Sequence, residues 1–338
     1  MTAPEFAVIP GALVHEVLCG SEREVTRLVE DAYLRHDEGG SVNPPSYFLR
    51  FPDRPDSRII ALPASLGGPG GVDGLKWISS FPGNVSAGLP RASAVLILND
   101  PGTGYPIACL EGSIISATRT AALAASAADR LSRGRHRPTR IGFVGAGLIA
   151  RYVHTFLVAD GWEFEAVGIH DLSAASAAGL TGHVARAGGT VTVHESAEHL
   201  VRASDLVVFA TVAGAPYVHE VDWFAHHPLV LHLSLRDLDP AVVLAATNIV
   251  DDVDHCLRAD TSPHLAEQVT GDRSFVSGTL ADVMTGRLSV PHGRPVIFSP
   301  FGLGVLDLAV GRHVYERVAE SGRLDVVPGF FHDLRRHG

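Results

Sequence analysis

Lys76 is the only lysine among the 27 basic residues of this 338-residue chain, and the other 26 are arginines. A buried lysine can lose and regain a proton near neutral pH, whereas a guanidinium stays charged. A coding bias toward arginine is the alternative explanation for its solitary presence. The stretch Gly74-Leu75-Lys76-Trp77-Ile78 alternates as a β-strand does and would direct Lys76 into the protein interior. Lys76 is therefore a candidate for proton transfer.

Arg119 is a second cationic candidate, and it lies in a helix of small residues that is predicted over 114–126. A guanidinium among Ala, Ser and Thr side chains is costly to bury unless it is paired, so a carboxylate ligand is a reasonable partner. A structural salt bridge is the alternative. Arg50 is a further candidate of this kind, although the nearby Arg54 and Arg58 also allow it a surface role.

Residues 139–150 have the pattern of a short apolar strand, a glycine turn and the start of a helix. Gly145 would form the tight turn, Gly147 would let a pyrophosphate approach the backbone, and Ala150 would let the helix pack on the strand. Free N–H groups at the helix N-terminus favour an anion. The pattern therefore predicts a dinucleotide site.

Asp171 ends the next predicted strand, 24 positions after Gly147. An acid at this position binds the adenosine ribose and repels a 2′-phosphate, so NAD rather than NADP is the predicted cofactor. The alternative is that Asp171 caps the helix that begins near Ser173.

Apolar runs with polar ends recur after this motif, as expected of alternating strands and helices. They predict strands near 164–171, 190–193, 206–211, 229–233 and 248–251. The predicted fold class is α/β, with a Rossmann-type doubly wound parallel sheet in an NAD-binding domain over residues 120–304.

A separate first domain must precede this sheet, because the sheet begins about 120 residues into the chain. Residues 1–119 with 305–338 are predicted to form a discontinuous α+β domain that binds substrate and dimerises. Its antiparallel strands are expected at 47–50, 57–62, 75–79 and 94–98, and a helix over 304–318 would pack back on them. The edges and faces of this sheet predict a homodimer.

The composition, 46% hydrophobic and 19% charged, is typical of a globular protein with a large core. A formal charge of −10 disfavours nucleic acid as a partner. No apolar run approaches the roughly 20 residues of a membrane span, and no signal peptide is visible, so no membrane partner and a cytoplasmic location are predicted. His194 and His199 are five apart, where a zinc helix needs four, and the acids of 251–255 suit a nucleotide site better than a metal. No metal is predicted.

Together these motifs resemble the ornithine cyclodeaminase and mu-crystallin family over nearly the whole chain. The most specific segments are Gly74-Leu75-Lys76, Phe81-Pro82-Gly83-Asn84, Ala94 to Asp100 with Thr103-Gly104, Thr118-Arg119-Thr120-Ala121-Ala122, the glycine motif, Phe301-Gly302 and Asp307-Leu308-Ala309. Other segments resemble the branch of the family that makes 2,3-diaminopropionate for siderophores and peptide antibiotics, namely Tyr47 to Pro52, Pro90 to Asp100, Cys109 to Ser113, Ser234 to Leu238, Asp251 to His255 and Ser299 to Gly304.

The resemblance implies NAD-dependent oxidation of N-(2-amino-2-carboxyethyl)-L-glutamate at the glutamate Cα–N bond. Hydrolysis of the imine would then give 2-oxoglutarate and L-2,3-diaminopropionate. Arg50, Lys76 and Arg119 match the family's carboxylate-binding positions, and this small anionic amino-acid substrate carries three carboxylates. Lys76 is also placed to relay the amine proton or to polarise the imine. The implied cofactor site comprises Arg119, Thr120, Gly145, Gly147, Leu148, Ile149, Ala150, Asp171, Thr211, Ser234, Phe301 and Gly302.

Asp237 matches the family's catalytic aspartate when the alignment after residues 229–233 has no gap. With a gap it is instead the acid of the Arg-acid-Leu motif that follows. The glutamate that assists water in true cyclodeaminases has no counterpart, because Ile59 and Ile60 stand there. This departure argues against ornithine as the substrate. Two alternatives stay open, a related dehydrogenase acting on alanine or a cyclic ketimine, and a non-catalytic NAD-binding protein like the lens crystallin member.

Overall fold

The computed structural model describes residues 4–134, 136–291 and 293–332. Residues 1–3 and 333–338 of the predicted first domain, and Arg135 and His292 of the predicted second, lie outside this description. The chain separates into two compact units, Met1–Arg119 with Leu303–Gly338 and Thr120–Gly302. The assignment of substrate binding to one unit and NAD binding to the other stays a prediction.

The strands of the described residues are β1 (Ala7–Ile9), β2 (Ser41–Val42), β3 (Tyr47–Phe51), β4 (Arg54–Leu66), β5 (Val72–Ser80), β6 (Ala92–Asn99), β7 (Pro106–Glu111), β8 (Arg140–Val144), β9 (Ala166–His170), β10 (Val191–Val193), β11 (Leu206–Phe209), β12 (Leu229–His232), β13 (Thr247–Val250), β14 (Val276–Thr279), β15 (Val296–Ser299) and β16 (Asp325–Val326). The α-helices are α1 (Gly11–Leu18), α2 (Glu22–Asp37), α3 (Ser113–Leu131), α4 (Leu148–Ala159), α5 (Ala174–Arg186), α6 (Ala197–Ala203), α7 (Pro240–Leu244), α8 (Val253–Cys256), α9 (Ser262–Thr270), α10 (Leu280–Met284) and α11 (Gly304–Glu320). Pro82–Ala87 and Val221–Phe224 form 3₁₀ turns.

The first unit is built on a mixed sheet in the order β16-β1-β7-β6-β5-β4-β2, with β3 also paired to β4. The long strands β4, β5 and β6 are antiparallel neighbours, as their alternating sequences predict. On β5 the even-numbered residues Val72, Lys76 and Ser80 are buried, whereas Trp77 on the other face is exposed. The sheet therefore has an inner face, to which Lys76 belongs, and an outer face.

Helix α11 packs on the inner face, against β4, β5 and β6, as expected for this C-terminal helix. Two glycines allow the close approach. A Cβ on Gly74 would lie 2.7 Å from the side chain of Leu308 on the helix, and one on Gly311 would lie 2.1 Å from the side chain of Leu96 on the sheet. Because nothing larger fits at either position, the first turns of α11 lie directly on the sheet.

The second unit contains a parallel sheet in the order β10-β9-β8-β11-β12-β15-β13-β14. In chain order the first five strands follow the 3-2-1-4-5 arrangement of a doubly wound nucleotide-binding fold. The predicted fold class is thereby confirmed. The insertion of β15 between β12 and β13 does not follow from chain order, and β14 and β15 are not among the strands predicted above. Strands β8, β11 and β12 are buried along nearly their whole length, which explains their unbroken apolar sequences. No helix in the described part of the chain is long and apolar enough to cross a membrane.

The outer face of the first sheet exposes a row of apolar side chains. Tyr47, Ala61, Trp77 and Val95 are direct cross-strand partners on four successive strands. Tyr47, Trp77 and Val95 are 64%, 40% and 40% exposed. Monomeric proteins rarely leave such a contiguous apolar patch in water. We propose that a second copy of the chain covers this face, as the prediction of a homodimer requires.

Replacing Trp77 with Glu should convert the proposed dimer to monomers, because it places a charge in the centre of this row. Light scattering should give twice 35.8 kDa for the wild type at micromolar concentration and 35.8 kDa for the variant. Leu172→Glu is the matched control, since Leu172 is 99% exposed on the second unit and its change should leave the mass unaltered. A wild type that scatters as a single chain would contradict the proposal.

Candidate active site

Lys76 lies at the middle of β5, between Leu62 of β4 and Leu96 of β6 in the sheet register. Its side chain is buried, as the alternation of the strand predicts. The ammonium donates to Asp307 Oδ2 at 2.6 Å and to Ser116 Oγ at 3.2 Å. Since an ammonium has three N–H donors, one remains for a bound group.

Asp307 joins Lys76 to Arg119. It lies in the first turn of α11 and is fully buried, and its second oxygen, Oδ1, accepts from Arg119 Nε at 3.2 Å. Within the described part of the chain, this bond from Nε is the only one that the Arg119 side chain makes. The two terminal nitrogens of the guanidinium are therefore left as donors. Arg119 has the salt bridge that the sequence allowed, and it also keeps the fork with which a carboxylate pairs.

The three side chains carry one more positive than negative charge when Lys76 is protonated. Burial lowers the pKa of Lys76 from 10.5 to about 8; Asp307 opposes this change and the Arg119 charge reinforces it. A buried cluster with excess positive charge and unused donors is stabilised by an anion. Because the pKa of Lys76 is close to neutrality, its amine can also exchange a proton at physiological pH.

Arg50 lies on the same inner face, but two strands from Lys76. It is the register partner of Arg58, which is in turn the partner of Ser80 on β5. The side chain is exposed, and its guanidinium lies over the Phe48 ring at 5.1 Å from the ring centre. The contacts described for Arg50 do not include Lys76, Arg119 or Asp307, so its predicted part in substrate binding stays a prediction.

In the second unit, the glycine motif has the predicted strand–turn–helix form. Gly145 adopts φ 93°, and a Cβ there would lie 2.6 Å from the Ala210 carbonyl oxygen. A Cβ on Gly147 would meet nothing within 4 Å, so the loop is open on that side. Helix α4 begins at Leu148, and no side chain caps it within the described residues. The N–H groups of Leu148, Ile149 and Ala150 are left to bind an anion.

Asp171 follows β9 and bonds to the glycine loop. Its Oδ2 accepts the Ala146 N–H and its Oδ1 the Ser173 N–H, both at 2.7 Å. The second bond places Asp171 next to the start of α5, as the alternative of helix capping predicts in part. The N-cap residue of α5 is Ser173 itself. An ionised carboxylate accepts about four hydrogen bonds, so capacity remains for two ribose hydroxyls.

Asp237 follows β12 and is fully buried. It accepts hydrogen bonds from Thr211, Ser234, the Tyr217 hydroxyl at 3.1 Å and His232 Nε2 at 3.2 Å. Burial alone would raise the pKa of Asp237, but these bonds, led by that of His232, lower it. The carboxylate thus fixes the predicted cofactor residues Thr211 and Ser234 at the ends of adjacent strands. A catalytic role for Asp237 stays a prediction, and its four bonds favour a positioning role.

Asp251 has a similar function at the end of β13. Its two oxygens accept the N–H groups of Phe301 and Gly302, at 2.9 and 2.7 Å. Burial raises the pKa of Asp251 and these backbone hydrogen bonds oppose the rise. Among the described residues no group of three or more His, Cys, Asp or Glu side chains is placed to hold a metal. The acids near residue 251 serve the backbone of the loop instead, since Asp252 caps α8.

Sequence reasoning did not give Asp307 or Ser116 a part in the site. The available signal for Asp307 was a lone carboxylate within the apolar first two turns of the helix. Ser116 precedes Arg119 by three residues, which places both on one face of α3. Thr120 follows Arg119 in the same helix and belongs to the second unit.

A doubly wound sheet with an open glycine loop, and a buried cluster of two cations and one acid, define a dinucleotide-binding enzyme fold with an anion site. A model of the ornithine cyclodeaminase/mu-crystallin family matches residues 13–322, and the chain belongs to that family. The resemblance seen in the sequence is confirmed.

Three relatives show the range of the family. The chain is 28% identical over 306 residues to N-((2S)-2-amino-2-carboxyethyl)-L-glutamate dehydrogenase of Staphylococcus aureus, covering 86% of this chain and 89% of that protein. An archaeal alanine dehydrogenase dimer solved with bound NAD has a TM-score of 0.85 and 26% identity, covering 97% and 100% of the two chains. Delta(1)-pyrroline-2-carboxylate reductase of Thermococcus litoralis, solved with NADH and L-proline, has a TM-score of 0.86 and 24% identity, covering 94% and 99%. Enzymes that act on different substrates are thus similar to this chain to nearly the same degree.

The lowered pKa of Lys76 should make stability depend on pH in a defined direction. Between pH 8 and 10.5 the folded amine is neutral while the unfolded one is still protonated, so stability rises with pH. The free energy of unfolding of the wild type, relative to that of Lys76→Met, should rise by about 3 kcal/mol as the pH increases across this window. The same gain should disappear as the pH falls from 10.5 to 8.

Urea unfolding of both proteins at a series of pH values measures this difference. Lys76→Arg is the control, because a guanidinium does not titrate in this range and cannot produce the rise. A difference between wild type and Lys76→Met that stays constant with pH would show that the lysine is not desolvated in the folded protein.

Proposed function

We propose that the protein oxidises N-(2-amino-2-carboxyethyl)-L-glutamate with NAD and hydrolyses the product to 2-oxoglutarate and L-2,3-diaminopropionate. The observation that carries this proposal is the buried cluster of Lys76, Arg119 and Asp307, whose excess positive charge and unused donors suit an amino-acid carboxylate. Similarity to the staphylococcal enzyme over 86% of the chain supports the choice of substrate.

The cofactor is NAD, and the second unit has the features needed to hold it. The open backbone at Gly147 and the uncapped start of α4 suit a pyrophosphate. Asp171 has acceptor capacity for the adenosine ribose and repels a 2′-phosphate. When bound, NAD accepts the hydride from the substrate carbon.

The reaction consumes the substrate, NAD⁺ and water, and releases 2-oxoglutarate, L-2,3-diaminopropionate, NADH and a proton. The hydrogen on the glutamate Cα leaves as a hydride with the electron pair of its bond, and the amine nitrogen loses a proton. A C=N bond forms between these two atoms. Water then adds to the imine carbon, and the C–N bond breaks so that diaminopropionate leaves as the amine. The chain must therefore hold a carboxylate beside this carbon and receive the amine proton.

Arg119 and Lys76 fill these two roles in the proposal. The terminal nitrogens of Arg119 bind the carboxylate next to the reacting carbon. Lys76 in its protonated form assists that binding, and its neutral form accepts the amine proton, since its pKa is about 8. Ser116 and Asp307 orient the amine through their hydrogen bonds. Arg50 supplies a cation for another carboxylate.

An alanine dehydrogenase is the second candidate, because a solved enzyme of that activity is 26% identical over nearly the whole chain. Alanine carries one carboxylate, which Lys76 and Arg119 would satisfy by themselves. The cation Arg50 on the inner face would then have no substrate group to bind. We also propose that the reaction supplies diaminopropionate for siderophore or peptide natural products. We place it in the cytoplasm, and the three free cysteines agree with such a reducing compartment.

Incubation of the protein with the proposed substrate and NAD should yield both products, detected by mass spectrometry, together with NADH absorbance. Lys76→Arg keeps the positive charge but cannot accept a proton, so we expect turnover to fall by about 10²-fold or more. Pyruvate from alanine, without diaminopropionate from the proposed substrate, would favour the second candidate. Binding of NAD with no turnover of either compound would identify a non-catalytic member of the family.

NADH should bind more tightly than NADPH, because Asp171 opposes the 2′-phosphate. Titrations followed by protein fluorescence compare the two dissociation constants. Asp171→Asn removes the charge but keeps the shape, and should narrow the preference for NADH. Equal or tighter NADPH binding by the wild type would overturn the choice of NAD.

A further inference from the structure

Arg91 carries a partly buried guanidinium that has no role in the reaction proposed above. It precedes β6, and its Nη1 donates to Ser80 Oγ at 2.6 Å. Within the described residues this hydroxyl is its only side-chain partner, and no carboxylate pairs with it. Burial lowers the pKa of Arg91, and no acidic neighbour opposes this effect. A desolvated arginine without a counter-ion is costly unless an anion binds to it.

Arg91 acts on the same face of the sheet as Lys76. Ser80 is four residues after Lys76 on β5, and side chains an even number apart point to the same side of a strand. In the sheet register, Ser80 of β5 lies opposite Arg58 of β4, and Arg58 lies opposite Arg50 of β3. The guanidinium of Arg91, which bonds to Ser80, therefore lies at the end of the inner face that also carries Arg58 and Arg50. The Lys76 cluster lies further along β5.

The glycine contacts between helix α11 and this face lie at the level of Lys76. Its residues Gly304, Leu308 and Gly311 face Ala64, Gly74 and Leu96, in that order along the helix. Beyond Lys76 in the direction of Ser80, the inner-face residues Ile60 and Ile78 are only partly buried. The strip between Lys76 and Arg91 is therefore partly accessible.

The length of that strip suits a dicarboxylate. Four strand residues span about 13 Å. Carboxylate carbons that are four or five bonds apart lie about 5 to 6 Å from each other. An ion-pair distance of up to about 4 Å at each end completes the span.

We infer that Arg91, supported by Ser80, binds a second carboxylate of the substrate, four or five bonds from the carboxylate held by Lys76 and Arg119. This inference rests on the proposed function, because it names the group that distinguishes the proposed substrate from alanine. Both remaining carboxylates of N-(2-amino-2-carboxyethyl)-L-glutamate meet the condition. The γ-carboxylate is four bonds from the α-carboxylate, and the diaminopropionate carboxylate is five bonds from it. Arg91 would thus select for acidic amino acids.

Binding of simple carboxylates tests Arg91 without requiring turnover. Glutarate, adipate and butyrate are titrated by calorimetry against the full-length protein saturated with NADH. Glutarate places its carboxylates four bonds apart, adipate five, and butyrate has only one. The wild type should bind glutarate or adipate at least about 30-fold more tightly than butyrate, since breaking a desolvated charge pair has at least that effect. The tighter of the two dicarboxylates identifies which carboxylate Arg91 holds.

Arg91→Gln should abolish this preference and leave butyrate affinity within about threefold of wild type, while Arg91→Lys should restore part of it. Arg27→Gln is the control for the lost charge, because Arg27 is exposed on α2. The melting temperature of ligand-free Arg91→Gln should equal or exceed that of wild type, since an uncompensated charge is removed. Equal loss of affinity for all three compounds, or a retained preference, would overturn the inference.

The substrate assay separates this inference from the proposed function. In one outcome the wild type does not oxidise N-(2-amino-2-carboxyethyl)-L-glutamate, yet it prefers dicarboxylates and Arg91→Gln does not. The proposed function is then wrong, and Arg91 is still an anion-binding residue. If turnover is present and Arg91→Gln leaves both turnover and preference unchanged, the inference about Arg91 is wrong and the proposed function holds.

Discussion

The carboxylate of Asp307, shared between Lys76 and Arg119, is the constraint on which the first unit depends. One oxygen bonds to each cation, so α11, β5 and α3 must meet at a fixed point. A helix can come this close to a sheet only where side chains are absent, and Gly74 and Gly311 lie at those points. Removing the acid would leave two cations buried together, which is costly because charges lose their hydration on burial. The packing of α11 therefore depends on the same carboxylate that orients the cations of the site.

The acids of the second unit serve a different purpose. Asp171, Asp237 and Asp251 each follow a strand of the parallel sheet, and each spends its oxygens on loop backbone or on side chains of neighbouring strand ends. They hold the loops in which the predicted cofactor residues lie. In the first unit it is the cations Lys76, Arg119 and Arg91 that have donors to spare. The second unit thus uses most of its buried carboxylate oxygens to hold its loops, with capacity left on Asp171. The first unit keeps cationic donors available for a ligand, which lowers its stability when no ligand is bound.

Local pattern was enough to predict much of the architecture. The alternation around Lys76 correctly places it inside, because a strand has a period of two and its neighbours set the face. The glycine motif correctly predicts the turn at Gly145, since only glycine fits against the Ala210 carbonyl. Contacts between distant parts of the chain were beyond reach. Asp307 is 231 residues from Lys76, and no periodicity reports such a pairing. The position of β15 between β12 and β13 and the isolation of Arg91 likewise depend on packing that only the folded chain shows.

Because the chain has no other lysine, Lys76 is its only side-chain amine. Reagents that acylate or reductively alkylate side-chain amines find one target among 338 residues, and that target lies inside the site. With a pKa of about 8, the amine is a better nucleophile at neutral pH than an ordinary surface lysine would be. Small aldehydes that can enter therefore have a single side chain to modify, and a carboxylate bound there would protect it. The protein carries its own reporter of occupancy, readable without any engineered label.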